Sequence, residues 1–319
     1  MPRTVYMVGS GVVGLATGTV LSEKGFDVTF IDAKAAVVER LRGKGFKAFE
    51  VDKVEDPHAD FYLVNVPTYP LDLCRDSAEA EELERSMTPL EWCEVGIDFM
   101  KTAAATLGKW IAKSSKYSVV VIRSAVLPGT TEEMVIPAIE AGSNKKAGRD
   151  FGVCVNPEYL REDRSVEDER APWVNVIGAL DKKSEDTLEE LYRWVTCPRY
   201  RISIREAEMQ KFVHNLVNAA KISFFNEMRL VSERIGVDHR KIIPIVVKSA
   251  EAMWNAEYGT RDKGPFGGTC LPKDTQAFLA WAKKGGMETP LMGAVVDVNH
   301  VFEKRLRVAA AGGSDGGHP

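Results

Sequence analysis

A chain of 319 residues, 45% apolar and 28% charged, is long enough for two domains that each bury a core. Its net charge of −4 offers no general attraction to nucleic acid or an anionic membrane, and no run of about 18 apolar residues is available to span a bilayer. The five cysteines (Cys74, Cys93, Cys154, Cys197 and Cys270) are odd in number and scattered without a Cys-x-x-Cys, which argues against a zinc site and a disulfide framework.

The N-terminus lacks the charged-then-apolar build of a secretion signal, so a cytoplasmic location is expected. Residues 4–9 form an apolar run, followed by a glycine-rich turn and a helical stretch from Val12 to Lys24. A second apolar run over 27–31 ends at Asp32. The turn Gly9-Ser10-Gly11-Val12-Val13-Gly14 has the G-x-G-x-x-G spacing. Its first glycine allows a tight turn, its second lets backbone approach a pyrophosphate, and its third permits close helix–strand packing. The phosphates would meet the free N–H groups of the helix that begins at Val12 and Val13. Asp32 follows Gly14 by 18 residues, where a carboxylate binds the ribose hydroxyls and repels a 2′-phosphate. The pattern predicts a site for NAD rather than NADP, with Lys34 as the nearby basic residue that opposes this preference.

Further strands are expected at 61–66, 118–122, 152–155 and 174–178, with helical segments between them. Pro67 and Thr68, after the first of these, and Ser124, after the second, are candidate cofactor contacts. Between Pro70 and Phe99 lies a charge-rich stretch, read as a solvated helical insertion, with a lid or a dimer contact as the other readings. Beyond about residue 202 the pattern turns helical: one long helix from Glu206 to Gly236, then helices over 238–256, 273–284 and 289–307. The fold expected is α/β: a Rossmann-type doubly wound parallel sheet over 1–202, then an all-helical domain with a long central helix over 203–308. A flexible tail is expected over 309–319.

The segment Gly264-Pro-Phe-Gly-Gly-Thr-Cys270-Leu-Pro-Lys-Asp274 places a thiol in a glycine-rich turn ahead of a helix start. A helix N-terminus stabilises a thiolate, so Cys270 reads as a nucleophile, whereas Cys154, inside an apolar strand, reads as inert. With this motif the chain resembles the UDP-glucose/GDP-mannose dehydrogenase family. The resemblance rests on Gly9–Gly14, Ser124-Ala-Val-Leu-Pro-Gly-Thr-Thr131, Asn156-Pro-Glu-Tyr-Leu-Arg-Glu162, Gly267-Gly-Thr-Cys270-Leu-Pro-Lys-Asp274, and the helix running through Lys211 to Glu227, and it covers about 1–305.

The resemblance implies an NAD-dependent oxidation of a primary alcohol, of a sugar, nucleoside or nucleotide sugar, to a carboxylate. Cys270 would carry the substrate first as a thiohemiacetal and then as a thioester. Lys211 and Asn215 would hold the reacting oxygen, and their i, i+4 spacing puts both on one helix face. Asp274 would organise water and Lys211, Glu158 would assist thioester hydrolysis, and Glu162 would lie near the nicotinamide. Tyr159, Leu160, Arg161, Gly267 and, from a loop directed at the neighbouring subunit, Arg261 are the implied substrate contacts. A homodimer through the long helix is implied as well. His214, which adjoins Asn215 but faces about 100° away around the helix, reads as structural.

The chain departs from the family pattern in several places. It stops shortly after Asn299, where the family continues into a third, nucleotide-covering domain, and its loop before Cys270 is shortened; both differences lead to the expectation of a smaller or different substrate. Ala125 stands where a threonine hydroxyl is usual, and Val37 where a basic residue is usual. Alternative readings are a two-electron alcohol dehydrogenase of the 6-phosphogluconate or hydroxyisobutyrate type, which needs no Cys270, and a non-catalytic NAD-binding subunit.

Overall fold

The structure, a computed structural model, describes residues 3–68, 89–260, 264–267 and 271–312. Of the sequence expectations, Cys270, Arg261, the 70–88 part of the insertion and the tail beyond 312 lie outside the described residues. Two compact units emerge, Met1–His214 and Asn215–Pro319.

The first unit is built on one eight-stranded sheet. Its strands are β1 (Thr4–Val8), β2 (Asp27–Asp32), β3 (Ala48–Glu50), β4 (Phe61–Val64), β5 (Val119–Ile122), β6 (Gly152–Val155), β7 (Asn175–Ala179) and β8 (Arg199–Ile202). They lie in the order β3-β2-β1-β4-β5-β6-β7-β8. The order reverses between β1 and β4, and ligands of such sheets bind beyond the carboxyl ends of the strands at such a reversal. The pairs from β3 to β6 are parallel; β7 runs antiparallel to β6 and parallel to β8. The doubly wound parallel sheet expected from the sequence runs from β3 to β6, and β7 and β8 extend it in the opposite direction. Two strands, β3 and β8, were not anticipated.

Both faces of the sheet are covered. Tyr6, Val8, Tyr62, Val64, Val120 and Ile122 point into one apolar cluster, and Val5, Met7, Phe61, Leu63, Val119 and Val121 into the other. This is the period-two alternation of a strand with apolar residues on both sides, which explains why the central strands read as unbroken apolar runs. Each such side chain, once buried, contributes roughly 1.5–3 kcal/mol.

Between the strands run α1 (Val12–Glu23), α2 (Ala35–Gly43), α3 (Pro89–Lys113), α4 (Ile136–Ser143), α5 (Ser165–Arg170) and α6 (Lys182–Leu191). Helix α3 buries Met100, Ala104, Leu107 and Ile111 in the first cluster. It meets α4 so closely that a methyl on Gly108 would stand 3.0 Å from the Gly142 Cα.

The helical part consists of α7 (Ile204–Arg234), α8 (His239–Ser249), α9 (Glu251–Trp254), α10 (Leu271–Lys284) and α11 (Pro290–Gly312). The long helix expected from the sequence is α7, 31 residues in length. The helix expected over 238–256 is instead two, because Ala250 adopts an extended conformation (φ −79°, ψ 118°). Helix α11 reaches Gly312, five residues past the expected end of 307. Its first turn is capped from α7: Leu291 N and Met292 N donate to the Glu227 carboxylate at 2.8 and 3.1 Å. Among the described residues, no helix is long and apolar enough to cross a membrane, and no cluster of side chains could hold a metal ion.

Candidate active site

Gly9 and Gly14 meet the steric conditions expected of a tight turn and close helix packing. Gly9 has φ +90°, and a methyl there would lie 2.6 Å from the Asn65 carbonyl oxygen at the end of β4. A methyl on Gly14 would lie 2.1 Å from the Gly9 oxygen, so only glycine lets α1 come this close to the turn. Gly11 differs: a methyl there would meet nothing within 4 Å, which leaves open space at the N-terminus of α1. Gly11 caps α1 without a side-chain hydrogen bond, and the half-buried Val13 and exposed Val12 follow it. Open backbone N–H groups at a helix start suit a pyrophosphate.

The Asp32 carboxylate is held at this turn by Ser10 N and Lys34 N, each donating at 2.9 Å. The Lys34 side chain is exposed at the start of α2. Ser124 Oγ donates to Val66 O at 2.7 Å and so ties the loop after β5 to the loop carrying Pro67 and Thr68, both half-buried. These residues sit at the carboxyl ends of adjacent parallel strands and fit a dinucleotide.

A second cluster lies at the end of β6. Lys211 of α7 is buried, and its ammonium donates to the Glu158 carbonyl oxygen and, at 3.2 Å, to Glu158 Oε1. Glu158 Oε2 in turn accepts from Leu160 N at 2.7 Å. The Lys211 ammonium also lies 5.1 Å from the centre of the Tyr159 ring, whose hydroxyl bonds Gln210. Burial, with the Glu158 charge adding to it, pushes the Tyr159 hydroxyl up to about 12 despite the Gln210 bond. The ring therefore stays protonated at neutral pH. His214 packs edge-on against Tyr159 at 4.8 Å. Burial and the Lys211 charge lower its pKa and favour the neutral imidazole.

Each of the other expected site residues has its own surroundings. Arg161 is committed to Asp168 through bonds of 2.9 and 2.7 Å and lies over the Trp173 ring at 5.0 Å. Its fork is thus occupied within the protein. Glu162 opens an exposed 3-10 turn. Asn215 is exposed one helical turn beyond Lys211, Gly267 is exposed, and Asp274 on α10 is exposed with Lys273 at 3.2 Å. The loop before Gly267 is pinned by Asn299, whose side chain accepts from Phe266 N at 2.7 Å and donates to Phe266 O at 3.2 Å. Cys270 and Arg261, outside the described residues, have no placement.

Sequence reading missed one group altogether. Arg123, directly after β5, is 4% exposed and contacts Asn156, Tyr192 and Glu169. The available signal was an arginine closing the apolar run Val119–Ile122, since a charge so placed needs a buried partner. A cavity of about 30 Å³ beside it is lined by Arg123, Asn156, Glu158, Asn175 and Tyr192 among others. That size suits water and is far below the roughly 150 Å³ that accommodates benzene.

Comparison with known proteins gives consistent matches. Residues 3–196 match the UDP-glucose/GDP-mannose dehydrogenase family, NAD binding domain, and residues 205–301 match the central domain of the same family. A GDP-mannose 6-dehydrogenase of Pseudomonas aeruginosa is 39% identical over 206 residues, which covers 65% of this chain and 47% of that enzyme. A UDP-glucose 6-dehydrogenase of Haloferax volcanii is 31% identical, covering 94% of this chain and 70% of the relative. Among solved structures, a ternary complex of the Pseudomonas aeruginosa GDP-mannose dehydrogenase superposes with a TM-score of 0.79 at 30% identity, covering 95% of this chain and 69% of that one. The matched stretches thus span from about half to about seven tenths of these relatives.

Proposed function

The chain belongs to the UDP-glucose/GDP-mannose dehydrogenase family, and from that premise we propose that it oxidises the primary alcohol of a nucleotide sugar or related nucleoside to a carboxylate. The observation that carries this reading is the buried Lys211 ammonium paired with Glu158, in a unit whose glycine turn fits NAD. Two of the relatives act, by name, on GDP-mannose and UDP-glucose, so a sugar linked to a nucleoside diphosphate is the substrate class.

The glycine turn and Asp32 would hold two NAD molecules in succession, each of which would supply a two-electron oxidation of the substrate carbon. In the first round the hydroxyl proton is lost to solvent, and Lys211 offsets the alkoxide charge while the Asn215 amide donates to the same oxygen. The Cys270 thiolate then adds to the aldehyde carbon, and protonation of the oxygen gives a thiohemiacetal. Loss of the second hydride and of that proton leaves a thioester. Water adds to its carbonyl as Glu158 takes a proton, and collapse expels the Cys270 thiolate and releases the acid. Asp274 orders the water and Lys211 in this scheme. Glu162 is assigned to the nicotinamide side, and Tyr159, Leu160, Gly267 and Arg261 to the substrate. Arg161 keeps Asp168 as the partner of both its guanidinium and its backbone N–H.

We assign the enzyme to the cytoplasm as a homodimer joined through α7, on which Leu216, Val217, Ile222 and Leu230 are 60%, 60%, 62% and 65% exposed. The deciding assay counts NADH against substrate for the full chain with GDP-mannose, UDP-glucose and simpler nucleosides, with Cys270→Ser in parallel. The expected result is a ratio of two to one, an acid product and a Cys270→Ser protein that stops at the aldehyde level. A ratio of one to one with an unaffected Cys270→Ser protein would move the chain to the two-electron class.

A further inference from the structure

We infer that Arg123 is a positioning residue that sets the Glu158–Lys211 pair through Asn156. The inference rests on the dehydrogenase reading only for its effect on turnover. Its guanidinium joins parts of the chain that are far apart in sequence. One arm donates to Asn156 Oδ1 at 2.7 Å and to the Tyr192 hydroxyl, and the other to Glu169 Oε2 at 3.1 Å. Asn156 is 2% exposed and is fixed on its other side, donating to Asn175 Oδ1 at 2.9 Å and to Val176 O at 2.7 Å. It is also the first residue of the loop that carries Glu158, two residues on.

The position of Arg123 in the chain gives the arrangement its consequence. Its own neighbour is Ser124, which ties down the Val66–Thr68 loop at the cofactor end. One side chain therefore links the cofactor loops to the Glu158 loop. Removing a guanidinium from water costs several kcal/mol, and the Glu169 partner offsets this only if the geometry is held. A lysine carries the same charge but cannot present two arms in a plane, so Arg123→Lys keeps the charge and loses the link. A role confined to holding the sheet together would change stability and leave the Glu158–Lys211 geometry alone.

The test uses the full chain and a readout independent of turnover. Competitive amine labelling, quantified by mass spectrometry, compares Lys211 with the exposed Lys113 in wild type and in folded Arg123→Lys. The expected result is several-fold faster labelling of Lys211 with Lys113 unchanged. The kcat should fall by about tenfold or more, with its pH profile displaced and the KM for NAD within about twofold. Unchanged Lys211 labelling in a folded Arg123→Lys protein overturns the inference, and so does an unchanged kcat. Should Arg123→Lys fail to fold, Asn156→Ser breaks the same link from the loop side and is judged by the same criteria. A wild-type protein with no turnover on any nucleotide sugar overturns the dehydrogenase reading instead, and the labelling comparison still decides whether Arg123 sets the pair.

Discussion

A methyl added at Gly14 would lie 2.1 Å from the Gly9 oxygen, whereas one at Gly11 would meet nothing within 4 Å. The two alanine variants should therefore fail differently. Gly14→Ala forces backbone apart and is expected to cost about 1–3 kcal/mol of stability along with NAD binding. Gly11→Ala should stay within about 1 kcal/mol of wild type, yet weaken NAD because the methyl fills the space the pyrophosphate needs. Urea denaturation beside NADH fluorescence titration separates these outcomes, and equal stability losses would refute the assignment of roles. Asp168 offers a second prediction. The Arg161 fork lowers its carboxyl from the usual 3.8 to about 2. A folded-state pKa below the unfolded one gives stability that is present above about pH 4 and lost as pH falls toward 2. Denaturation across that window should show a steeper acid loss in wild type than in Asp168→Asn, and parallel curves would refute it. At this scale Gly9 and Gly14 were legible because each answers to a local steric demand. Arg123 was not, because its partners come from the loop after β6, from α5 and from just past α6, and no short stretch of sequence shows them together.

Whether an element could be read depended on how much of it is local. The buried strands β4, β5 and β6 and the helix α7 announce themselves by composition and period. Strand β3 has only three residues, and β8 is an edge strand whose Arg199, Tyr200 and Arg201 are exposed, so neither carries an apolar signal. The reversed direction of β7 is a property of chain return, and its sequence would read the same either way. The break at Ala250 was hidden because alanine ordinarily favours a helix. Capping between elements is likewise invisible in sequence but testable. Glu227 of α7 takes two otherwise free N–H groups at the start of α11 and is itself 7% exposed. Glu227→Ala should destabilise the helical unit by about 1–3 kcal/mol, and Glu227→Gln, which keeps an acceptor, by less. Circular dichroism followed through urea denaturation reads both, and indistinguishable variants would show that the cap contributes nothing.

For the whole molecule, the distribution of buried apolar surface matters most. Both large apolar clusters belong to the first unit, and neither includes a buried residue beyond Ala207. Among the described residues of the second unit, only Val231, Ala282 and Val296 are buried apolar side chains, while Leu216, Val217, Ile222, Leu230, Val298 and Leu306 are more than half exposed. A helical unit with so little core is stabilised by covering those side chains, each worth roughly 1.5–3 kcal/mol when buried. A second copy meeting the first along α7 would provide that cover, so folding of this unit should be linked to association. Its melting temperature should then rise with protein concentration. The Leu216→Glu/Leu230→Glu double variant should sediment as a monomer and lose that dependence. NAD acts on the other unit: at a hundredfold excess over its Kd it should add about 2.7 kcal/mol to the transition of the N-terminal unit. Calorimetry at two protein concentrations, with and without NAD, therefore distinguishes the two linkages. A melt independent of concentration, together with a monomeric wild type, would mean that the exposed apolar side chains of α7 are covered by something other than its own copy.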